Sequence, residues 1–166
     1  MGASTKFSCG LILAAGFAGA AQAQYHPYLP EQNTKEIDFA GSVTFEPVDS
    51  QALAGRLGYF VNRHLQVGLD GAYNRVSNGR SERVWSLGGF ANWHFPGSSQ
   101  MLPYVGGFLG YADAGDDANT SSFGAQGGVK YFFNQNVAAF GELRWRNIDG
   151  GSDQTGLFLG LSVFFK

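Results

Sequence analysis

Six charged residues fall at even-numbered positions inside stretches of strict alternation: Asp38, Arg56, Asp70, Lys130, Glu142 and Arg144. Carboxylates interleaved with guanidinium and ammonium groups on one shielded face can do two kinds of work. They can form a charged constriction that selects small ions. They can also neutralise one another and fill the space between them, because buried charges must be paired to be tolerated. The self-neutralising plug is the expectation here. Catalysis fits poorly, because none of the three histidines, His26, His64 and His94, stands beside a serine nucleophile. Asp113, Asp116 and Asp117 lack the spacing and terminal Glu of an EF-hand loop, so they read as a solvated acidic loop and not a metal site. No enzyme, metal or cofactor is expected.

The elements that would position these charges repeat. Gly55–Tyr73 and Gly127–Trp145 lie seventy-two positions apart, and each alternates, turns at an Asn-x-x and alternates again. Odd positions carry Leu57, Tyr59, Val61, Leu65, Val67, Leu69 and Tyr73, then Val129, Tyr131, Phe133, Val137, Ala139, Leu143 and Trp145. Even positions carry the charges and amides. A period of two gives a strand one apolar and one polar face. An apolar face ending in aromatics, with a polar face of charges among glycines, suits a hairpin with lipid outside and a polar interior. Constant parity through each turn implies a loop with an odd number of residues. Turns centred on Arg63 and Gln135 then set Arg56 opposite Asp70, Lys130 diagonal to Glu142, and Gln126 facing Arg144. Asp38 joins from the first strand, which closes against the last.

Eight such segments can be marked: Glu36–Glu46, Ala52–Val61, Leu65–Asn74, Arg83–Phe95, Leu102–Ala112, Ser122–Phe133, Val137–Arg146 and Thr155–Phe165. The fifth reads in either register, with Val105, Leu109 and Tyr111 outward or Tyr104 and Phe108 outward. The pattern predicts an all-β fold, an eight-stranded antiparallel up-and-down transmembrane β-barrel. Asn62–His64, Pro96–Met101 and Asn134–Asn136 make one side's tight connections. On the other side Arg75–Glu82, Asp113–Ser121 and Asn147–Gln154 are longer and more polar, and Pro47–Gln51 is short. Outer-membrane barrels keep their short turns periplasmic, which puts both termini there. Tyr59, Trp93, Tyr131 and Phe165 would form a belt at that boundary, and Tyr73, Trp85 and Trp145 a second belt at the outer one, since amphipathic rings prefer the lipid–water interface. A soluble β-sandwich or lipocalin-like barrel, with these aromatics as its core, is the alternative. Arg75, Arg80 and Arg83 on the outer rim suit either phosphate pairing or simple solubility.

Export is expected. Lys6, the apolar run Leu11–Ala21 and the small-x-small site ending at Ala23 make residues 1–23 a cleaved signal peptide. Residues 24–34 would be a short periplasmic leader and 35–166 the barrel domain. The single cysteine, Cys9, falls within the signal, so the mature domain has no thiol chemistry. A net charge of −2, with no basic patch, gives nucleic acid nothing to bind.

The paired Tyr-Phe-x-Asn turns (Tyr59–Asn62 and Tyr131–Asn134), the run Pro103–Gly107 and the alternating final strand resemble the small outer-membrane β-barrel or porin-like family, typified by the OmpA transmembrane domain and OmpW-type proteins. The resemblance covers the whole mature chain. It implies a bacterial outer-membrane protein, Sec-exported and monomeric, in contact with outer-membrane lipid and lipopolysaccharide. Its function would be structural and surface-interactive, or else that of a narrow channel for small or hydrophobic solutes. It also implies that the barrel assembly machinery reads the C-terminal strand through Phe165, which Lys166 follows. No peptidoglycan-binding domain is expected after the last strand.

Overall fold

The computed structural model describes residues 30–45, 50–77, 81–97, 100–113, 119–148 and 153–166. Outside these lie the expected signal, leader residues 24–29 with His26, Glu46, Arg80, Asp116 and Asp117. The side chains of Phe45, Arg75, Arg83 and Asp113 also lie outside the described set.

Eight strands follow one another: β1 (Lys35–Phe45), β2 (Ser50–Phe60), β3 (Leu65–Ser77), β4 (Ser81–His94), β5 (Met101–Asp113), β6 (Asn119–Asn134), β7 (Val137–Ile148) and β8 (Gln154–Phe165). Each pairs antiparallel with the next, and β8 returns to β1 to close the barrel. The alternation explains this closure. Odd residues such as Leu53, Leu57, Leu69, Leu109 and Leu159 are exposed on the outer wall, while even residues such as Arg56, Gln66, Asn92 and Glu142 are buried inside. A soluble sandwich would have reversed that sorting. β5 takes the register with Val105, Leu109 and Tyr111 outward and Tyr104 and Phe108 inward. The reason lies on β6, where Tyr104 and Phe108 face Gly128 and Gly124, which leave their rings room.

The stagger of the sheet can be followed residue by residue. A path along register partners leaves β8 at Phe164 and passes Glu36, Gly58, Gly68, Phe90, Phe108, Gly124 and Arg146. It re-enters β8 at Gln154, ten residues from its start. With ordinary strand spacing and rise, that offset tilts the strands by about 40° to the barrel axis. Several strands outrun the expected boundaries. Arg75, Val76 and Ser77 pair with Arg83, Glu82 and Ser81 where a loop is expected, and β6 begins at Asn119. Backbone pairing continues past the point where the outer face leaves hydrocarbon, because amide groups need partners whatever the side chains are.

The two Asn-x-x turns share one device. Asn62 Oδ1 accepts hydrogen bonds from the His64 and Leu65 backbone N–H groups, each at 2.8 Å. Asn134 Oδ1 accepts from Asn136 and Val137 at 2.8 and 3.0 Å. The side chain thus substitutes for a backbone turn acceptor. The turns differ in length. Val61 N–H donates to Leu65 O, leaving the three residues 62–64 in the first loop. In the second, Asn134 pairs directly with Val137 and the register shifts between Phe132 and Asn134. Parity there is restored by a bulge and not by an odd loop.

Both described chain ends sit at this short-turn end. Asn33, the one described non-glycine residue at positive φ (70°), turns the leader under the barrel, where its N–H bonds Phe60 O and its Oδ1 accepts from Tyr59 Oη. Lys166 lies 2.8 Å from Glu31 and holds that carboxyl below its ordinary range. Substituting Asn62→Ala or Asn134→Ala is expected to cost about 1 kcal/mol each, while Asn→Asp, which keeps the acceptor, costs much less. Urea unfolding–refolding equilibria in lipid vesicles measure this; equal losses for Ala and Asp would refute the shared device.

Candidate functional site

The barrel interior is built in tiers from the short-turn end. Phe60, Leu102, Phe132, Ala138 and Phe164 pack into an apolar floor in which no residue is more than 3% exposed. Lys130 stands above it, fully buried and ion-paired with Glu36. Its ammonium faces the rings of Tyr104, Phe164 and Phe60 at 5.3, 5.4 and 6.0 Å. Gln66 donates to the other oxygen of Glu36. Asn92 donates to Gln66 at 3.3 Å and accepts from Gln126 at 2.6 Å, so one amide chain links four strands.

The next tier is charged. Arg56 Nε lies 3.1 Å from Asp38 Oδ2, and its Nη1 lies 2.8 Å from Glu142 Oε2. Its guanidinium is held between Phe140 and Phe90, at 4.9 and 5.6 Å. Tyr104 Oη donates to the same Glu142 oxygen at 2.8 Å. Arg144 reaches Asp70 Oδ2 at 2.8 Å and Glu142 Oε1 at 3.1 Å, between Phe108 and Phe158, each 4.7 Å away. Every one of these cations therefore meets both carboxylates and ring faces, which suit a poorly hydrated guanidinium.

All six charged residues singled out in the sequence lie in this interior, but only one of their ion pairs, Arg56–Asp38, joins register partners. Arg56 and Asp70 are direct cross-strand partners. Arg56 instead binds its other register partner, Asp38 on β1, and Glu142 across the lumen, while Asp70 takes Arg144. Lys130 is diagonal to Glu142 on the β6–β7 ladder and pairs instead with Glu36 on β1. Gln126 faces Arg144 and bonds Asn92. The cause is reach. Directly opposed Cβ atoms are about 5 Å apart, so an opposed carboxylate such as Asp38 meets Arg56 at its Nε and leaves the end of the guanidinium free to span the lumen. In an eight-stranded barrel that lumen is about as wide as Arg and Lys side chains are long. The bonds Lys130–Glu36, Arg56–Glu142 and Arg144–Asp70 accordingly tie opposite walls. Glu36, Gln66, Asn92 and Tyr104 join the network as well; even parity puts Gln66 and Asn92 on the polar face, but the sequence alone does not tie any of the four to the charges.

Glycines let these bonds form. Tyr104, Gly128 and Glu142 are successive register partners, and the tyrosine hydroxyl passes over Gly128 to reach the carboxylate. Gly106 likewise lies between Asn92 and Gln126, and Gly58 lies under the Gln66–Glu36 bond. A Cβ at Gly128 would run into the Gly141 carbonyl oxygen and stand 2.9 Å from Tyr104 Oη. The neighbouring lipid-facing Gly127 would meet only ordinary contacts at 3.6 and 3.7 Å.

On the outer wall, Tyr59, Trp93, Tyr131 and Phe165 ring the short-turn end, and Tyr73, Trp85 and Trp145 the other; all seven are between 39% and 50% exposed. Tyr73 and Trp85 are direct register partners. His64 stacks on Trp93 at 5.5 Å. His94 is buried inside between Phe60 and Tyr104, at 5.0 and 5.3 Å, and neither ring nitrogen has a partner among the described residues. No group of three metal-ligating side chains converges among those residues.

Gly128→Ala is expected to destabilise the barrel by about 1–3 kcal/mol through overpacking and loss of the Tyr104–Glu142 bond, with Gly127→Ala near neutral. Midpoints of urea unfolding in vesicles compare the two; similar losses at both positions would contradict the gap assigned to Gly128.

Known proteins share this architecture. The N-terminal β-barrel domain of Pseudomonas aeruginosa OprF is 24% identical, covering 82% of this chain and all of its own, with a TM-score of 0.58. Neisserial surface protein A is 20% identical over 80% of this chain and 96% of its own, with a TM-score of 0.65. Outer membrane protein H of P. aeruginosa is 14% identical over 79% and 99%, with a TM-score of 0.62. These likenesses speak to the fold. No curated protein matches the chain. The model of a family described as the outer membrane protein β-barrel domain matches residues 9–165. With lipid-type side chains outside and a charged interior, this chain belongs to the outer membrane protein β-barrel domain family, whose place is the bacterial outer membrane.

Proposed function

We propose that the chain serves as a structural and surface-interaction barrel whose lumen is closed to solutes. The observation that carries this reading is the apolar floor of Phe60, Leu102, Phe132, Ala138 and Phe164, lying directly beneath a tier of mutually neutralised charges. Water and ions crossing the barrel would have to dislodge both layers together. Dislodging the upper one separates buried ion pairs at a cost of several kcal/mol.

The same reading covers its surroundings. The protein is exported by the Sec route, spans the membrane as a monomer, and presents its belts to outer-membrane lipid. Arg75 and Arg83 are direct register partners, two residues beyond Tyr73 and Trp85. Arg75, Arg80 and Arg83 cluster in the sequence at that rim, and guanidinium forks match the phosphates of lipopolysaccharide. Phe165 is exposed at the end of β8 while Lys166 is drawn aside to Glu31, an arrangement open to the barrel assembly machinery.

Reconstitution in planar bilayers tests the closed lumen. The unaltered protein is expected to give no steady conductance steps. A Phe60→Ala, Phe132→Ala, Phe164→Ala variant, still heat-modifiable on gels, should show leak. Discrete steps in the unaltered protein, with selectivity changed by Glu142→Ala, would instead establish a narrow channel for small solutes.

A further inference from the structure

We propose that Arg146, together with the Nε of Arg144, forms a binding site for a small soluble oxyanion of the phosphate type, in the half of the lumen remote from the chain termini. The remaining lumen cations are satisfied: Lys130 by Glu36, Arg56 by Asp38 and Glu142, and Arg144 by Asp70 and Glu142. Arg146 is not. Among the described residues no carboxylate lies within ion-pair distance of it and no acceptor within hydrogen-bond distance, while the ring of Phe108 stands 5.5 Å away.

Arg144 stands against that same ring at 4.7 Å. Two positive charges therefore share one aromatic surface, from inward positions two residues apart on β7. The carboxylates bonded to Arg144 occupy its Nη1 and Nη2. Its Nε is left buried and without a partner, although the residue as a whole is only 5% exposed. A buried, unpartnered N–H on a charged group is costly. An oxygen placed between Nε of Arg144 and the fork of Arg146 would satisfy both.

Access and shape agree with this. Arg146 is half-buried and not sealed, unlike the fully buried Lys130 two tiers below. The residue paired with Arg144 on β8 is Gly156, and the inward residues just beyond on β5 and β6 are Gly110 and Ser122, so small side chains flank the two guanidiniums. A phosphate group offers paired oxygens that match a guanidinium fork and enough negative charge to offset two adjacent cations. Asp70 lies near, but its Oδ2 is engaged by Arg144. Entry from one side suffices, so the site stands whether or not the lumen conducts.

The test uses the full protein in a phosphate-free maltoside detergent, following the arginine Nε–Hε resonances while inorganic phosphate replaces chloride at constant ionic strength. Saturable shifts are expected at Arg144 and Arg146 and not at Arg56. Arg146→Gln, verified as folded by heat-modifiable migration, should weaken the response at Arg144 at least tenfold, and Arg146→Lys should weaken it less. Asp70→Asn, by removing a competing carboxylate, should tighten it. Equal responses to chloride and phosphate, or an unchanged response in Arg146→Gln, would overturn the site. Shifts produced in nanodiscs by lipopolysaccharide alone, with no phosphate added, would overturn its assignment to a soluble anion.

Discussion

Closure of eight strands fixes a lumen only about as wide as the side chains that enter it, and that constraint governs every inward residue. The wall cannot relax outward without breaking its hydrogen-bonded ladders, and water cannot fill what side chains leave unfilled without solvating buried charges. Volume and charge must therefore be balanced together, tier by tier. Large rings stand where the neighbouring strand offers glycine: Phe90 opposite Gly68, Phe108 opposite Gly124, Phe140 opposite Gly160. Each ring covers a glycine backbone and at the same time presents its face to an arginine. One residue choice thus serves packing and electrostatics at once.

Long-range bonding follows from the same geometry. Short polar residues speak to adjacent strands, as Asn92 does to Gln66, while Arg56, Lys130 and Arg144 cross to the far wall. Glu142 gathers Arg56, Arg144 and Tyr104 on its two oxygens, so strands β2, β5 and β7 meet at one carboxylate. In a low-dielectric interior such a network is rigid when complete and costly when any member is removed. The cross-braces make the wall's roundness depend on charge pairing, a role that an apolar filling of equal volume would not impose.

Much of this was legible in the residues. Alternation with constant parity gives the strands, the inward set and the closure, and the repeated Tyr-Phe-x-Asn gives two of the turns, whose asparagines bond the backbone alike. Register along single hairpins was also accessible, since Arg56 does lie opposite Asp70 and Gln126 opposite Arg144. Ion partners across the lumen were not. They depend on which strands face one another across the lumen, and that is set by the ten-residue stagger accumulated around the whole sheet, of which any one hairpin carries only a part. Glu36 was overlooked for a related reason. It opens its strand, where alternation has barely begun, yet the stagger carries it beneath Lys130 of β6. Arg146 closes the alternating segment in the sequence, and its even parity already points inward, whereas β7 runs on to Ile148.

The two ends of the lumen are chemically unlike, and the difference has a direction. Toward the chain termini the inward positions hold Phe60, Leu102, Phe132 and Phe164, and the leader folds beneath them through Asn33 and Thr34, with Thr34 O accepting from Phe60 N–H. Away from the termini several described inward positions are small or polar, namely Ala72, Ser86, Gly110, Ser122 and Gly156, alongside the apolar Ile148. A barrel filled uniformly would have no reason for this gradient. Apolar packing beside the charged tier lowers the local dielectric and strengthens its ion pairs, while Arg146 is only half-buried. The interior thus has an apolar floor at the short-turn end, where both described chain ends lie, with Arg146 toward the opposite end.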